Sequence, residues 1–233
     1  MKLCKEILDL LFPPKCPFCT KLLQKDEEHL CARCDLELPW MEDESGQRPG
    51  EFLDDAIAPL WYRDSVRDSH HRFKFGGVRA YAVAYGVLLE QCVRGQLAGP
   101  VDVITWAPVS KKRLRKRGYD QSELLARQLG LRLALPVERL VDKVQHTLPQ
   151  AAIRDETVRR ANVLGAYALA PGAQAAGRHV LLVDDVVTTG STLSECARIL
   201  RTAGAASVTA VTLAVTPREG SGAEPDNDQE EKK

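Results

Sequence analysis

Residues 180–193 read VLLVDDVVTTGSTL. An apolar run meets Asp184 and Asp185, two valines follow, and then the hydroxyls of Thr188, Thr189, Ser191 and Thr192 gather around Gly190. A short apolar run bounded by such a turn reads as a buried strand giving way to a helix. Gly190 lets the backbone turn tightly, so backbone N–H groups and hydroxyls can converge on one anion. Thr192 and Glu195 have the spacing of a capping box, which would start the helix here and add its positive dipole end to the same spot. The acids stand at the carboxyl end of the strand, where α/β proteins bind ligands in a crevice. Adjacent side chains on a strand point to opposite faces, but at its end both can reach that crevice and accept hydrogen bonds from hydroxyls. A phosphorylated sugar carries both groups in that order. A polar turn with a solvated acid pair is the plainer alternative.

Outward from this turn, apolar runs alternate with helical patterns. Strands are expected at 56–62, 101–106, 180–184 and 208–215, and helices at 81–92, 121–133 and 192–203, the last closed by Gly204. Strands spaced by helices imply right-handed crossovers and a mostly parallel sheet covered on both faces. The α/β domain is expected to fill residues 56–216, behind an N-terminal helix and cysteine element at 1–40 and a connector at 41–55. Leu3, Ile7, Leu10 and Leu11 share one side of that first helix, which Pro13 and Pro14 stop. The polar residues from 217 to 233 cannot repay their ordering entropy and are expected to be disordered.

The apolar and charged fractions, 44% and 27%, are those of an ordinary globular protein, which excludes a fibrous or wholly disordered chain. Lysines and arginines total 32 and so do aspartates and glutamates, so nucleic-acid binding would have to come from a local patch. No apolar stretch approaches the roughly 18 residues of a membrane helix. Glu6 and Asp9 interrupt what would have to be a signal core, so a cytoplasmic protein without a membrane span is expected.

Four of the seven cysteines, Cys16, Cys19, Cys31 and Cys34, form two CxxC pairs in CPFCTKLLQKDEEHLCARC. That spacing can place four thiolates tetrahedrally around Zn²⁺, and four protein ligands make such a metal structural. A redox CxxC, or buried cysteines acting as small hydrophobes, are the competing readings. His29 lies between the pairs and reads as a surface residue rather than a ligand.

APVSKKRLRKRGYDQSELLA, residues 107–126, carries Lys111, Lys112, Arg113, Arg115, Lys116 and Arg117 in seven positions. It leaves the end of the 101–106 strand, as the acid pair leaves its own, so it can face the same crevice and meet a second anion such as pyrophosphate. Arginine forks suit phosphate oxygens, which favours Arg113 and Arg117. A nucleic-acid patch and a solvated face remain open.

With these residues in view, VLLVDDVVTTGSTL resembles the phosphoribosyl pyrophosphate (PRPP) signature of type I phosphoribosyltransferases. A Walker A loop fits worse, since its lysine is missing. RLRKRGYDQSELLARQL, TLPQ and RRANVLGAY, behind a four-cysteine element and KFGGVRAYAVAYGVLL, are similar to the ComF family of competence-associated, phosphoribosyltransferase-like proteins. The likeness runs from about residue 16 to 216. It implies a type I phosphoribosyltransferase-like parallel sheet flanked by helices, preceded by a small zinc ribbon or knuckle.

The resemblance further implies that Asp184 and Asp185 hold the ribose hydroxyls as the catalytic acids. Val186, Thr188, Thr189, Gly190, Ser191 and Thr192 would line the PRPP site, the last five cradling the 5′-phosphate. Lys74, Gly76 and Gly77 would form a loop near its rim, and Gln150, Arg159 and Asn162 would lie in or beside a hood over it. Asp120 stands where the family commonly has Asn, with Arg117, Gly118 and Gln121 in place. Two functions are in play. One is an Mg²⁺-dependent transfer of phosphoribose from PRPP to an acceptor, with a role in DNA uptake. The other is a non-catalytic module that senses PRPP or nucleotide, or holds single-stranded DNA or a competence protein.

Overall fold

The computed structural model describes residues 13–41, 51–145 and 164–217. The N-terminal helix expected at 1–12, most of the connector, Gln150, Arg159, Asn162 and the tail beyond 217 lie outside the described residues.

The chain enters through the cysteine element, whose second CxxC opens a short helix, α1 (Ala32–Glu37). Met41 N then donates to Pro59 O and Trp61 N to Pro39 O, so the exit of the element pairs with the first strands. The strand expected at 56–62 is interrupted at Ala58–Pro59 into β1 (Asp55–Ile57) and β2 (Leu60–Trp61), since proline cannot continue a ladder. Both pair with the same neighbour. Helices α2 (Asp64–Phe75) and α3 (Tyr81–Gln96) follow, then β3 (Val103–Trp106).

After β3 the basic segment folds as a helix, α4 (Lys111–Arg117), and leads into α5 (Gln121–Leu133). Ser110 caps the start of α4, and Gly118 at φ 81° ends it. Asp120 caps α5 by accepting from Ser122 N and Glu123 N, so aspartate supplies the cap at this position. A small antiparallel pair, β4 (Val141–Lys143) and β5 (Tyr167–Leu169), precedes β6 (His179–Val187), α6 (Ser191–Thr202) and β7 (Ser207–Val215).

The main sheet has the order β1-β7-β6-β3 with β2 also on β7, and every pair in it is parallel. β6 and β7 lie at its centre, which explains their near-continuous apolar sequences. Leu181 and Val183 of β6 join α2, α3, α5 and the cysteine element on one face. Val180 and Leu182 meet α6, the β4–β5 pair and Ala205 on the other. These four residues are at most 2% exposed, and each such side chain contributes roughly 1.5–3 kcal/mol of burial.

Candidate functional site

The carboxyl ends of neighbouring strands β3 and β6 open one crevice. Residues 107–110 leave β3 for α4, and residues 188–190 leave β6 for α6. Both expected anion-binding segments therefore rise from adjacent strand ends.

β6 runs past its expected end at 184 to Val187, so the two acids stand three and two residues inside its carboxyl end, where they take different partners. Asp185, 7% exposed, turns towards α2. Its Oδ2 lies 3.0 Å from His70 Nε2, 3.6 Å from Lys74 Nζ and 2.8 Å from Gln121 Nε2, which donates to it. Its Oδ1 accepts from Val186 N at 2.8 Å, so the Val186 N–H is spent within the strand end. Asp184 Oδ1 accepts from Ser122 Oγ at 2.8 Å and from Asp185 N at 2.9 Å. Burial first, then the neighbouring Asp185 charge, pushes the Asp184 carboxyl up to about 8. Burial would also raise Asp185, but Lys74, His70 and Gln121 outweigh it and hold that carboxyl well below the usual range. The negative charge of the pair is thus drawn to Asp185, and Asp184 is the acid that more readily holds a proton.

The turn after the acids is open. Gly190 takes φ 76°, with nothing within 4 Å of where a Cβ would stand. Thr189 Oγ1 lies 2.7 Å from Ser191 Oγ, and Ser194 N donates to Gly190 O at 2.8 Å. The capping box expected from Thr192 and Glu195 does not form. The helix begins at Ser191 with Gly190 as its cap, which puts Glu195 beyond reach of the cap N–H. Glu195 instead accepts from Gly165 N at 2.9 Å and pairs with Arg198 at 2.8 Å. Thr192 hydrogen-bonds the Tyr167 side chain.

Helix α4 presents two faces. Arg113 and Arg117, one turn apart, are half-buried, while Lys111, Lys112, Arg115 and Lys116 are exposed. Arg117 Nη1 donates to Gln121 Oε1, and its guanidinium stands 5.3 Å from the Phe75 ring centroid. Burial lowers the Arg113 pKa, and Tyr167, Arg117 and Asp185 are the titratable groups around it. Lys74 sits in the last turn of α2 rather than in a loop, and Gly76 and Gly77 follow it.

His70, Ser122, Lys143 and Tyr167 were not legible as site residues. His70 is 115 positions from its carboxylate partner, so no local spacing announces the pair. It falls on a helix whose buried stripe, Val66, Ser69, His70 and Phe73, keeps an i, i+3, i+4, i+7 period with two polar members.

The sulfur ligand atoms of Cys16, Cys19, Cys31 and Cys34 all lie within 4.8 Å of one another, and three of the four residues are buried. Tetrahedral Zn²⁺ with bonds of about 2.3 Å needs sulfur separations of this order. Burial, then the neighbouring thiols, pushes the Cys34 thiol far up. A bound cation would reverse that by holding the thiolates. His29 is outside the cluster and lies 3.8 Å from Glu28. The element rests on α2: Arg72 Nη2 donates to Pro17 O and Phe18 O at 2.9 Å, and Ser69 Oγ donates to Pro17 O.

Family comparisons agree with both halves of this description. Residues 115–231 match the phosphoribosyl transferase domain, and residues 7–58 match the double zinc ribbon domain. Within the latter span the four-cysteine set is the one that the sequence contains. The fold is therefore a phosphoribosyltransferase-type α/β domain behind a zinc-ribbon element.

The chain is 33% identical to competence protein F of Haemophilus influenzae over 75% of its own length and 79% of that protein. It is 30% identical to DNA utilization protein YhgH of Escherichia coli K12 over 88% and 92%. With competence protein ComFC of Bacillus subtilis it shares 27% over 90% and 81%. The chain belongs to the ComF family. No helix among the described residues is long and apolar enough to cross a membrane.

Proposed function

We propose that the crevice binds PRPP and that the chain transfers its phosphoribosyl group to an acceptor during the handling of incoming DNA. The observation that carries this reading is the convergence of the acid pair, the open 188–192 turn and the inward arginines of α4 on adjacent strand ends. Asp184 and Asp185 would meet the ribose hydroxyls. The protonated Asp184 can donate as well as accept, whereas charged Asp185 only accepts. The hydroxyls of Thr188, Thr189, Ser191 and Thr192, with the α6 N-terminus, would hold the 5′-phosphate. Arg113 and Arg117 would take the pyrophosphate.

Loss of pyrophosphate leaves an electron-poor ribose carbon. Fixed cations at the departing group and a fixed carboxylate under the ring would stabilise that separation of charge. Mg²⁺ bound to PRPP would neutralise the pyrophosphate oxygens. Asp185 is already committed to His70, Lys74 and Gln121, so the acids suit such an ion through water rather than as direct ligands. The names of the relatives support the link to DNA uptake.

Calorimetry with PRPP and Mg²⁺ tests the binding, and pyrophosphate release over a panel of acceptors tests the transfer. Binding that is absent, or unchanged in Asp184→Asn/Asp185→Asn, overturns the PRPP reading. Binding without release favours a sensing module. A second reading rests on the outer face of α4, where Lys111, Lys112, Arg115 and Lys116 surround exposed Leu114. That face suits the backbone of single-stranded DNA, and its test is the salt dependence of DNA affinity.

A further inference from the structure

Lys143 and Tyr167 stand directly opposite each other in the β4–β5 pair. Lys143 Nζ lies 2.9 Å from Tyr167 OH and 4.6 Å from the ring centroid, and it is partly buried. Tyr167 hydrogen-bonds Thr192, the last hydroxyl of the turn after the acids. Arg113 is a second cation close enough to depress the lysine. Among the described residues no carboxylate lies within ion-pair distance of Lys143. A partly dry ammonium is costly unless paired, and here its one hydrogen-bonding partner is a neutral phenol.

We infer that Lys143, positioned by Tyr167 and within electrostatic reach of Arg113, is an oxyanion-binding residue of the crevice wall and takes a phosphoryl group. Lysine suits this as a compact charge with three donors, of which the phenol uses one. The phosphoryl group comes either from the pyrophosphate, on the Arg113 side, or from the 5′-phosphate, on the Thr192 side. The inference rests on the PRPP reading only for which ligand supplies it. Burial, with Arg113 adding to it, lowers Lys143 to about 8, against the opposing pull of Cys196 on α6, Asp184 on β6 and Asp120 before α5. An ammonium whose folded pKa lies below its unfolded value costs stability at neutral pH, and the cost disappears as pH rises past the unfolded value. Lys143→Met should thus be more heat-stable than the parent at pH 7 and no better near pH 11. A residue kept for packing alone would not behave so.

The test titrates the full chain with inorganic pyrophosphate, ribose 5-phosphate and PRPP, in the parent, Lys143→Met and Lys143→Arg. Loss of one charge-assisted contact should weaken binding about tenfold or more, and arginine should restore most of it. If Lys143→Met weakens PRPP and pyrophosphate but not ribose 5-phosphate, the group bound is the pyrophosphate. If it weakens PRPP and ribose 5-phosphate only, the group is the 5′-phosphate. Affinities unchanged for all three ligands overturn the inference, as does a general loss accompanied by a lower melting midpoint. A parent protein that binds pyrophosphate through Lys143 but PRPP no more tightly overturns the PRPP reading and leaves this inference standing.

Discussion

His70 Nε2 lies 3.0 Å from Asp185 Oδ2, joining helix α2 to the end of β6. Tyr62 OH lies 3.1 Å from His70 Nδ1 on the other side of the ring, so the imidazole is held at both nitrogens. Lys74 and Gln121 complete the set around the same carboxylate oxygen. A carboxylate fixed in this way would not need reorienting to accept a hydrogen bond from the sugar of the proposed ligand.

Replacing His70 with Ala should leave the buried carboxylate short of a partner, at about 1–3 kcal/mol. The melting midpoint should fall by several degrees and PRPP should bind about tenfold more weakly. Tyr62→Phe should do the same to a smaller extent. An Ala variant with undiminished PRPP affinity by calorimetry would show that the imidazole does not position Asp185 for ligand.

Asp184 gives a pH signature of the opposite sign to an ordinary salt-bridged acid. Its folded pKa, about 8, lies above the unfolded value near 3.9, so the native state binds more protons across that range. Stability contributed by this group is present below the lower value and is lost as pH rises towards the higher one. Asp184→Asn removes the titration. Thermal melts between pH 5 and 8 should show the variant gaining on the parent with each unit, and parallel curves would refute the assignment.

The two faces of α4 should separate by experiment. Arg113→Ala/Arg117→Ala should weaken pyrophosphate binding by about tenfold or more. Lys111→Ala/Lys112→Ala/Arg115→Ala/Lys116→Ala should leave it nearly unchanged and flatten the salt dependence of single-stranded DNA affinity. Equal losses of pyrophosphate affinity in both sets would mean that the half-burial of the two arginines has no consequence for binding.

Removing zinc should release the ribbon. A strong chelator, or Cys16→Ser, should abolish the stoichiometric metal measured by atomic absorption. It should also lower the melting midpoint, since structural zinc contributes on the order of 10 kcal/mol to small elements. A metal-free chain that melts like the parent would contradict the tetrahedral assignment.

Gly130 tests the packing beneath the crevice. A Cβ there would come within 2.2 Å of Val137 Cγ2 and 3.0 Å of Leu135 O. Gly130→Ala should cost about 1–3 kcal/mol through overpacking, in spite of alanine's better helix propensity. Chemical denaturation reads the difference directly.

Much of this arrangement is written locally. β6, β7 and α5 follow from apolar periodicity and from the hydroxyls at the turn, all within single windows of sequence, while the cap that Asp120 gives α5 shows only in the structure. The cysteine cluster follows from spacing alone. What escaped depends on long-range pairing. Helix α2 hides because Ser69 and His70 occupy half of its buried stripe, and their reasons for being inside lie in Tyr85 and Asp185. The β4–β5 strands hide because each is three residues long. The basic segment is read from the sequence as facing the crevice, but its division into half-buried Arg113 and Arg117 and an exposed remainder shows only once Ser110 and Gly118 are seen to bound a helix. The capping box fails for a related reason, because the glycine at the turn is itself the cap, two residues ahead of Thr192.

Helix α2 alternates its duties along one length. Ser69 and Arg72 grip the backbone of the cysteine element, while His70 and Lys74 grip Asp185. A splice point for chimeras placed at the end of the ribbon would therefore sever a working joint. Exchanging ribbons between relatives while keeping the crevice intact requires an incoming ribbon whose carbonyls at the places of Pro17 and Phe18 meet the recipient's Ser69 and Arg72. Helix α2, inside what sequence alone assigns to the phosphoribosyltransferase-like domain, is thus held in common by ribbon and crevice, and no single cut beside it spares both.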